Sequence, residues 1–289
     1  MMTETVFRDV AVEMIRRAET KLPKDVLAAL KRAWKKERDP IARFHYRMMF
    51  RNLQLAQGLG VPICQDTGVF TFFVKLGREV KLSFDLEGTL AEAVEIATQE
   101  VPLRANVVDP LTRKPSPTNT GRGQPAIHLE LTPGDDLELE LLVKGAGTEN
   151  CSRLFMMRPT ERAEAIERAV LKTIEESGGK SCPPNIIGVG IGGSMETAAL
   201  MAKHALLRPL NRKNPDPELA ELEHRIKLAA NNLKIGPMGL SGETTILGVH
   251  IEKAACHTAS LPVAFALQCW PARRAKATRV DGELRVVEP

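Results

Sequence analysis

The sequence predicts an α+β fold, with a helical N-terminal region packed with antiparallel and mixed β-sheets. Amphipathic helical periodicity occupies about the first 60 residues. Further along, some segments alternate apolar and polar residues as half-buried strands do, and others are short apolar runs followed by helical patterns. Hairpin signals therefore coexist with strand–helix units, and this mixture is typical of neither an all-β nor a purely parallel α/β protein.

Three helices are predicted near the start of the chain. The first follows from apolar residues that recur every fourth position from Val6. The second begins at Pro23, because the fixed φ of proline suits the first helical turn, and the third begins after Pro40 and ends near Gly58 or Gly60. Later helices are predicted over residues 89–99, 160–176 and 218–233, and from about Ser194.

Strand patterns lie in both halves of the chain. The run VFTFFVKL from Val69 predicts a strand, and the alternating segments from Ala126 and Leu137, joined by Pro133-Gly134, predict a hairpin. A loop rich in Pro, Thr and Asn is expected over residues 109–125. The last strong strand patterns begin at Asn185, Thr244 and Leu261.

The composition is that of an ordinary folded protein. The chain has 289 residues, of which 43% are hydrophobic and 26% charged, and this length suits one large domain or two smaller ones. A net charge of +4 is too small for a dedicated nucleic-acid binder, and no run of about 18 apolar residues could span a membrane. The N-terminal segment carries several acidic residues and lacks the apolar core of a signal peptide, so we expect a cytoplasmic protein.

Cysteine is the most informative residue type. The chain has five cysteines, an odd number without a C-x-x-C pair, so neither a disulfide framework nor a zinc ribbon fits and reduced thiols are expected. Cys64 lies in PICQDTG, Cys182 in SCPPN and Cys269 in QCWPARR, each at the mouth of a strand or beside proline. One such cysteine would be interpreted as a small buried apolar residue, whereas three in similar turns favour a shared metal site.

Polar residues near these turns supply other parts of a site. Asp66 closely follows Cys64 and is either a general acid or base or a cap of the next turn. Arg104 could hold a carboxylate, although an unrelated salt bridge is equally common. His257 could donate a proton or a hydrogen bond, whereas a lone histidine is usually structural. The segment KGAGTEN, from Lys144, ends a strand with small residues where a ligand could contact the backbone.

A glycine motif suggests a different function. Gly188, Gly190 and Gly193 satisfy G-x-G-x-x-G between an apolar strand and a helix, as a dinucleotide site requires. The region about 20 residues on, at 207–214, offers no strand that ends in an acidic residue for the ribose. Close packing of strand against helix is therefore the favoured explanation, with another anion at the helix start as a further alternative.

Five long motifs resemble one known family. PICQDTG, KGAGTEN, SCPPNIIGVGIGG, GPMGLSGETT and HTASLPVAFALQCWPARRA, in this order, resemble the α subunit of iron–sulfur-dependent class I fumarate hydratases and L(+)-tartrate dehydratases. The resemblance covers about residues 5 to 275. It implies a [4Fe-4S] cluster at strand-end loops, held by Cys64, Cys182 and Cys269, with one iron left open to substrate as a Lewis acid. Cys151 and Cys256 receive no ligand role.

The same resemblance assigns roles to residues around the cysteine turns. The dicarboxylate would be held by side chains and by a backbone turn, in which Ala146 stands where many relatives have glycine; Ser241 likewise replaces a common glycine. A carbanion that develops beside a carboxylate needs cationic groups as well as metal, and this chain has few clustered cations besides Arg104. The implied catalytic residues are Asp66 and His257, and the implied substrate-binding residues are Gln65, Arg104, Gly145 and Ala146.

The implied activity is that of a hydro-lyase that interconverts fumarate and (S)-malate, with dehydration of L(+)-tartrate to oxaloacetate as the alternative. Residues 1–289 would form a single cluster-binding catalytic domain with a helical portion over about 1–60. In single-chain relatives this segment is the N-terminal domain, so a separate β subunit is expected, in an α2β2 assembly, to supply further arginines, a lysine and a catalytic base.

Two functions from other classes remain as alternatives. The glycine motif leaves an NAD-dependent oxidoreductase as a remote alternative function. The basic C-terminal segment suggests a nucleic-acid contact, although the small net charge favours a solvated tail or a partner-subunit surface. That segment contains Arg273, Arg274, Lys276 and Arg279.

Overall fold

The computed structural model describes residues 2–161 and 163–288. They divide into two compact units, and both units are discontinuous in sequence. The first comprises the described residues of Met1–Pro23, Arg51–Gly145 and Arg273–Pro289, and the second comprises those of Lys24–Phe50 and Ala146–Ala272. The interpretation of residues 1–289 as one catalytic domain stays a prediction beside this division.

The predicted helices are confirmed. Two helix starts are capped by carboxylates: Asp85 accepts the N–H of Glu87, and Asp216 accepts those of Glu218 and Leu219. No helix among the described residues is both long and apolar enough to cross a bilayer. The α-helices are α1 (Glu4–Thr20), α2 (Lys24–Lys36), α3 (Pro40–Leu59), α4 (Leu86–Glu100), α5 (Ala146–Glu149), α6 (Ala163–Ser177), α7 (Met195–Ala205) and α8 (Pro217–Asn232).

Among the described residues the strands form two sheets of mixed direction, so the predicted α+β class is confirmed. Each unit contains one of these sheets. The strands are β1 (Val69–Gly77), β2 (Ala126–Thr132), β3 (Leu137–Lys144), β4 (Arg153–Met157), β5 (Asn185–Gly192), β6 (Ile246–Ala254), β7 (Leu261–Gln268), β8 (Arg273–Val280) and β9 (Glu283–Val287).

The sheet of the first unit has the order β2-β1-β3-β8-β9, and helices α1 and α4 contribute to its apolar core. Strand β1 pairs in parallel with β2 and antiparallel with β3, so the predicted β2–β3 hairpin at Pro133-Gly134 is wrong. Alternation of apolar and polar residues predicts that a segment is a strand, but it does not predict which strand pairs with it. Here the apolar, largely buried β1 takes a partner on each edge and separates β2 from β3.

The sheet of the second unit has the order β4-β7-β5-β6. Strand β5 runs parallel to β6 and antiparallel to β7, and α7 packs on it. A Cβ added to Gly188 would meet the Ala202 carbonyl, and one added to Gly190 would meet the Ala198 carbonyl, both well inside van der Waals distance. The interpretation of this glycine motif as close strand–helix packing is therefore confirmed.

The basic C-terminal segment is a sheet strand, β8, rather than a solvated tail. Arg273 and Arg274 are only 1% and 3% exposed, and Lys276 pairs with Glu138 at 2.7 Å across the β3–β8 ladder. Interpreting the segment as a solvated tail was wrong because it relied on charge, whereas Arg273 pairs with Glu19 and Lys276 pairs with Glu138, both far away in sequence.

Candidate active site

The residues implied by the resemblance fall into both compact units. Most of them lie in turns next to strands, whereas Arg104 lies in the segment that follows helix α4. The first unit contains Cys64, Gln65, Asp66, Arg104 and Gly145, and the second contains Ala146, Cys182, His257 and Cys269.

The Cys64 turn connects helix α3 to strand β1. Its entry is fixed by two hydrogen bonds: the Ile63 N–H donates to the Glu19 carbonyl at 2.8 Å, and Asn52 Nδ2 donates to the Ile63 carbonyl at 2.7 Å. Cys64 is half-buried and Gln65 is exposed. The turn is thus anchored on the side that precedes the thiol, while the next side chain faces solvent.

Asp66 is held between two glycines. Its Oδ1 accepts the Gly68 N–H at 2.9 Å, which confirms the turn-capping role that the sequence allowed. Its Oδ2 lies 2.8 Å from the position that a Cβ on Gly145 would occupy. A side chain at Gly145 would displace the Asp66 carboxylate, so glycine at this position leaves the carboxylate where it is.

A buried arginine binds the same turn. Arg273 Nη2 donates to the Asp66 carbonyl at 2.8 Å, and Nη1 pairs with Glu19 Oε2 at 2.7 Å. Arg273 and Glu19 are 1% and 0% exposed. Burial raises the pKa of the Glu19 carboxyl to about 7, while the attraction of Arg273 opposes this rise.

Sequence reasoning missed this cation. The sequence predicted few clustered cations besides Arg104, and Arg273, which reaches the Asp66 turn, is one of them. One signal was available, since Arg273 belongs to the QCWPARR motif that contains Cys269. Glu19 gave no signal, because it is one acidic residue within an ordinary amphipathic helix.

Arg104 is tied through its backbone to the residue after Asp66. The Arg104 N–H donates to Thr67 Oγ1 at 3.2 Å, and Asn119 Nδ2 donates to the Arg104 carbonyl at 2.9 Å. The Arg104 side chain is exposed, and within residues 2–161 and 163–288 no carboxylate forms an ion pair with it. The backbone is thus fixed while the guanidinium remains available to an anion.

In the second unit, the turns of Cys182 and Cys269 are joined by hydrogen bonds. Cys182 follows the short 3-10 helix Gly178–Ser181 and has a left-handed φ of 51°. The N–H of Trp270, the residue after Cys269, donates to the Cys182 carbonyl at 3.1 Å. The structure therefore brings together the backbones of two of the three predicted ligands.

A buried asparagine strengthens this junction. Asn185 begins strand β5 and is 1% exposed. Its Nδ2 donates to the Ser181 carbonyl at 2.8 Å and to the Gln268 carbonyl at 3.2 Å, while its Oδ1 accepts the Ser181 hydroxyl at 2.8 Å. Asn185 is the last residue of the SCPPN motif, and nothing in the local sequence indicates this role.

His257 and Ala146 are exposed. His257 follows β6 in a turn, and its Nδ1 accepts the Ala259 N–H at 3.1 Å. A neutral imidazole that accepts at Nδ1 carries its proton on Nε2, so this ring is oriented as a hydrogen-bond donor. Cys256, which directly precedes His257 in the sequence, is also exposed. Ala146 is the first residue of helix α5.

The thiol chemistry fits an iron–sulfur group, which is held by cysteine thiolates. None of the five cysteines is in a disulfide. Over the part of the chain that the structure describes, no three His, Cys, Asp or Glu side chains are grouped closely enough to hold a metal ion. The ligand set Cys64, Cys182 and Cys269 therefore stays a prediction, with two members on adjacent turns of one unit.

Comparison with known proteins identifies the family. The chain matches the model of the fumarate hydratase (Fumerase) family over residues 8–278. It is 45% identical over 281 residues to the putative L(+)-tartrate dehydratase subunit alpha of Methanocaldococcus jannaschii, covering 96% of this chain and 99% of that protein. It is 40% identical over 266 residues to the L(+)-tartrate dehydratase subunit alpha of Escherichia coli UTI89, covering 92% and 88%. The chain therefore belongs to the fumarate hydratase family, as its five motifs indicated.

Proposed function

We propose that this chain is the α subunit of a [4Fe-4S] hydro-lyase that reversibly hydrates fumarate to (S)-malate. The observation that carries this proposal is the family match over residues 8–278. Supporting it, buried side chains anchor the Asp66 turn and the turn that precedes Cys182.

The cluster would be held by Cys64, Cys182 and Cys269. When bound by three thiolates, such a cluster supplies an open iron that acts as a Lewis acid toward the substrate hydroxyl and a carboxylate oxygen. The adjacent turns of Cys182 and Cys269 favour this assignment, because two ligands then come from one hydrogen-bonded junction. Cys151 is buried in an apolar cluster, which suits a thiol without a ligand role.

The other residues would bind and orient the dicarboxylate. Arg104 offers an exposed guanidinium fork to a carboxylate, and the exposed Gln65 amide offers a second donor. The backbone at Gly145 and Ala146 would contact the substrate. In the dehydration direction a proton leaves C3 and hydroxide leaves C2, and we assign proton transfer on this chain to Asp66 and His257.

A separate β subunit would complete the enzyme. The two relatives compared above are named as the alpha subunit, and this chain covers 88–99% of their lengths. We propose an α2β2 assembly in which the β subunit adds arginines, a lysine and a further base. Cytoplasmic location stays a prediction from the sequence.

Cluster assembly tests the ligand assignment. The chain is reconstituted anaerobically with iron and sulfide, and absorbance and EPR are recorded for wild type and for Cys→Ser at each cysteine. We expect loss of the cluster signals in Cys64→Ser, Cys182→Ser and Cys269→Ser. Matched controls are Cys151→Ser and Cys256→Ser, which should retain them. A fully formed cluster in Cys182→Ser would refute the assignment.

L(+)-Tartrate is the second candidate substrate, because the relatives at 40–45% identity carry the name L(+)-tartrate dehydratase. It differs from malate by one hydroxyl group, and contacts to that group would lie partly in the β subunit. The deciding assay measures kcat/KM of the reconstituted α–β complex for fumarate, (S)-malate and L(+)-tartrate. Tartrate turnover far above malate turnover would replace the first candidate with the second.

A further inference from the structure

Asn185 connects the two peptide bonds that lead into Cys182 and Cys269. The Ser181 carbonyl belongs to the peptide bond with Cys182, and the Gln268 carbonyl belongs to the peptide bond with Cys269. One amide group, Asn185 Nδ2, donates to both carbonyls, at 2.8 and 3.2 Å. The distance between these two peptides is therefore set by a single planar group with two N–H donors.

The amide itself is firmly placed. The Asn185 N–H donates to the Thr245 carbonyl at 3.0 Å, and its Oδ1 accepts the Ser181 hydroxyl at 2.8 Å. The next residue along β5, Ile186, is in register with Gln268 on β7. Because Asn185 is 1% exposed, water has little access to its two donors.

Cys182 needs such a restraint more than an ordinary strand residue does. Its φ of 51° lies in the left-handed region, which a residue with a Cβ adopts at a conformational cost. The bond from Asn185 holds the peptide before Cys182, and the bond from Trp270 holds the carbonyl after its Cα. Both sides of the cysteine are thus tied to the segment that contains Cys269.

We propose that Asn185 is a positioning residue that sets the spacing of Cys182 and Cys269 for binding of one metal centre. This inference rests on the proposed function, which makes both cysteines ligands. Groups just outside a metal's ligands orient those ligands, and their substitution typically lowers metal affinity by about 10–100-fold. Asn185 acts in this way through two peptide carbonyls rather than through the thiols themselves.

The test uses Asn185→Asp, which keeps the shape and replaces the double donor with an acceptor. The matched control is Asn214→Asp. Asn214 lies in the same unit, is buried, and its Nδ2 also donates twice, to the Ile251 carbonyl at 2.9 Å and to Glu223 at 2.7 Å. Asn214→Asp places a carboxylate beside Glu223 and therefore carries at least the general cost of a carboxylate in the core, whereas a spacing effect on the two cysteines would appear only in Asn185→Asp.

The first readout needs neither cluster nor activity. Phenylarsine oxide condenses with two neighbouring thiols and releases water, so its affinity for the metal-free full-length chain reports how well the pair is arranged. Capture by wild type should disappear in Cys182→Ser and in Cys269→Ser. We expect about tenfold weaker capture in Asn185→Asp and an unchanged affinity in Asn214→Asp, with far-UV circular dichroism confirming that each variant is folded.

The second readout is the rate of cluster loss after anaerobic reconstitution, which should rise about tenfold in Asn185→Asp alone. Wild-type values of both readouts in a folded Asn185→Asp would overturn the proposal. If that variant does not fold, Asn185→Ala removes both carbonyl bonds without introducing a charge, and an unchanged arsenical affinity there would overturn the proposal. A wild-type chain that captures the arsenical but never forms a cluster would refute the proposed function while leaving the spacing role supported.

Discussion

Replacing Gly190 by alanine is expected to destabilise the second unit because strand β5 and helix α7 leave no space for a side chain. A Cβ at this position would lie 2.8 Å from the Ala202 nitrogen and closer still to the Ala198 carbonyl oxygen. Ordinary contact begins at 3.4 Å, so relieving the shorter contact, with the Ala198 oxygen, requires the helix to move by more than about 1 Å. Both obstacles are backbone atoms of one helix, and no side-chain rotation can relieve them.

The expected magnitude follows from the nature of these obstacles. Overpacking a core with one extra carbon typically costs about 1–3 kcal/mol, and contacts with backbone correspond to the upper part of that range. We therefore expect Gly190→Ala to lower the free energy of unfolding by about 3 kcal/mol. The matched control is Gly58→Ala in helix α3, where no atom lies within 4 Å of the added Cβ. Better helix propensity should there raise stability by up to about 1 kcal/mol.

Urea unfolding followed by circular dichroism measures both variants, provided that the slope with denaturant stays equal to that of wild type. A loss below about 0.5 kcal/mol in Gly190→Ala would refute the packing argument, because surface substitutions already produce changes of that size.

A separate titration with NAD uses wild type and Gly190→Val. Saturable binding to wild type that Gly190→Val abolishes would revive the dinucleotide interpretation of the glycine motif.

Two further predictions concern charges. In wild type, folding raises the pKa of Glu19 from 4.5 to about 7. The protonated carboxyl therefore contributes fully to stability below pH 4.5, and this contribution is lost as the pH rises through about 7. The free energy of unfolding should fall by up to about 3 kcal/mol over this window. Urea unfolding across this window should show that fall in wild type relative to Glu19→Gln, and parallel curves would contradict it. Asp216→Ala removes a carboxylate that accepts the N–H groups of Glu218 and Leu219, and thermal unfolding should show a loss of about 1 kcal/mol; no loss would exclude the cap as a source of stability.

Residues close together in sequence were sufficient to predict the helices and the positions of the cysteine turns. Pro40 begins a helix, and Ser194 and Asp216 immediately precede helices, as their residue types predict. Pairing between strands was less accessible, because it depends on residues far apart in sequence. The Pro133-Gly134 turn was compatible with a hairpin, yet the burial of β1 between β2 and β3 decided the arrangement.

The candidate site shows the same division between local and long-range information. Cysteines in similar turns could be found from the sequence, since each turn carries its own proline or glycine signal. Asn185 could not be assigned a role, because the Gln268 carbonyl that it binds lies 83 residues away in the chain. Arg273 was misinterpreted for the same reason, since the carboxylate that compensates its charge is 254 residues distant.

The location of the Arg273–Glu19 pair is better explained by geometry than by stability. A buried ion pair must overcome the cost of removing two charges from water, and its net contribution to stability is often close to zero. The pair instead fixes the position of the Asp66 turn. Glu19 orients the Arg273 guanidinium, and the guanidinium holds the Asp66 carbonyl. Gly145 then leaves room for the Asp66 carboxylate. A lysine at position 273 would present a flexible point charge and could not reproduce the forked contact with both partners.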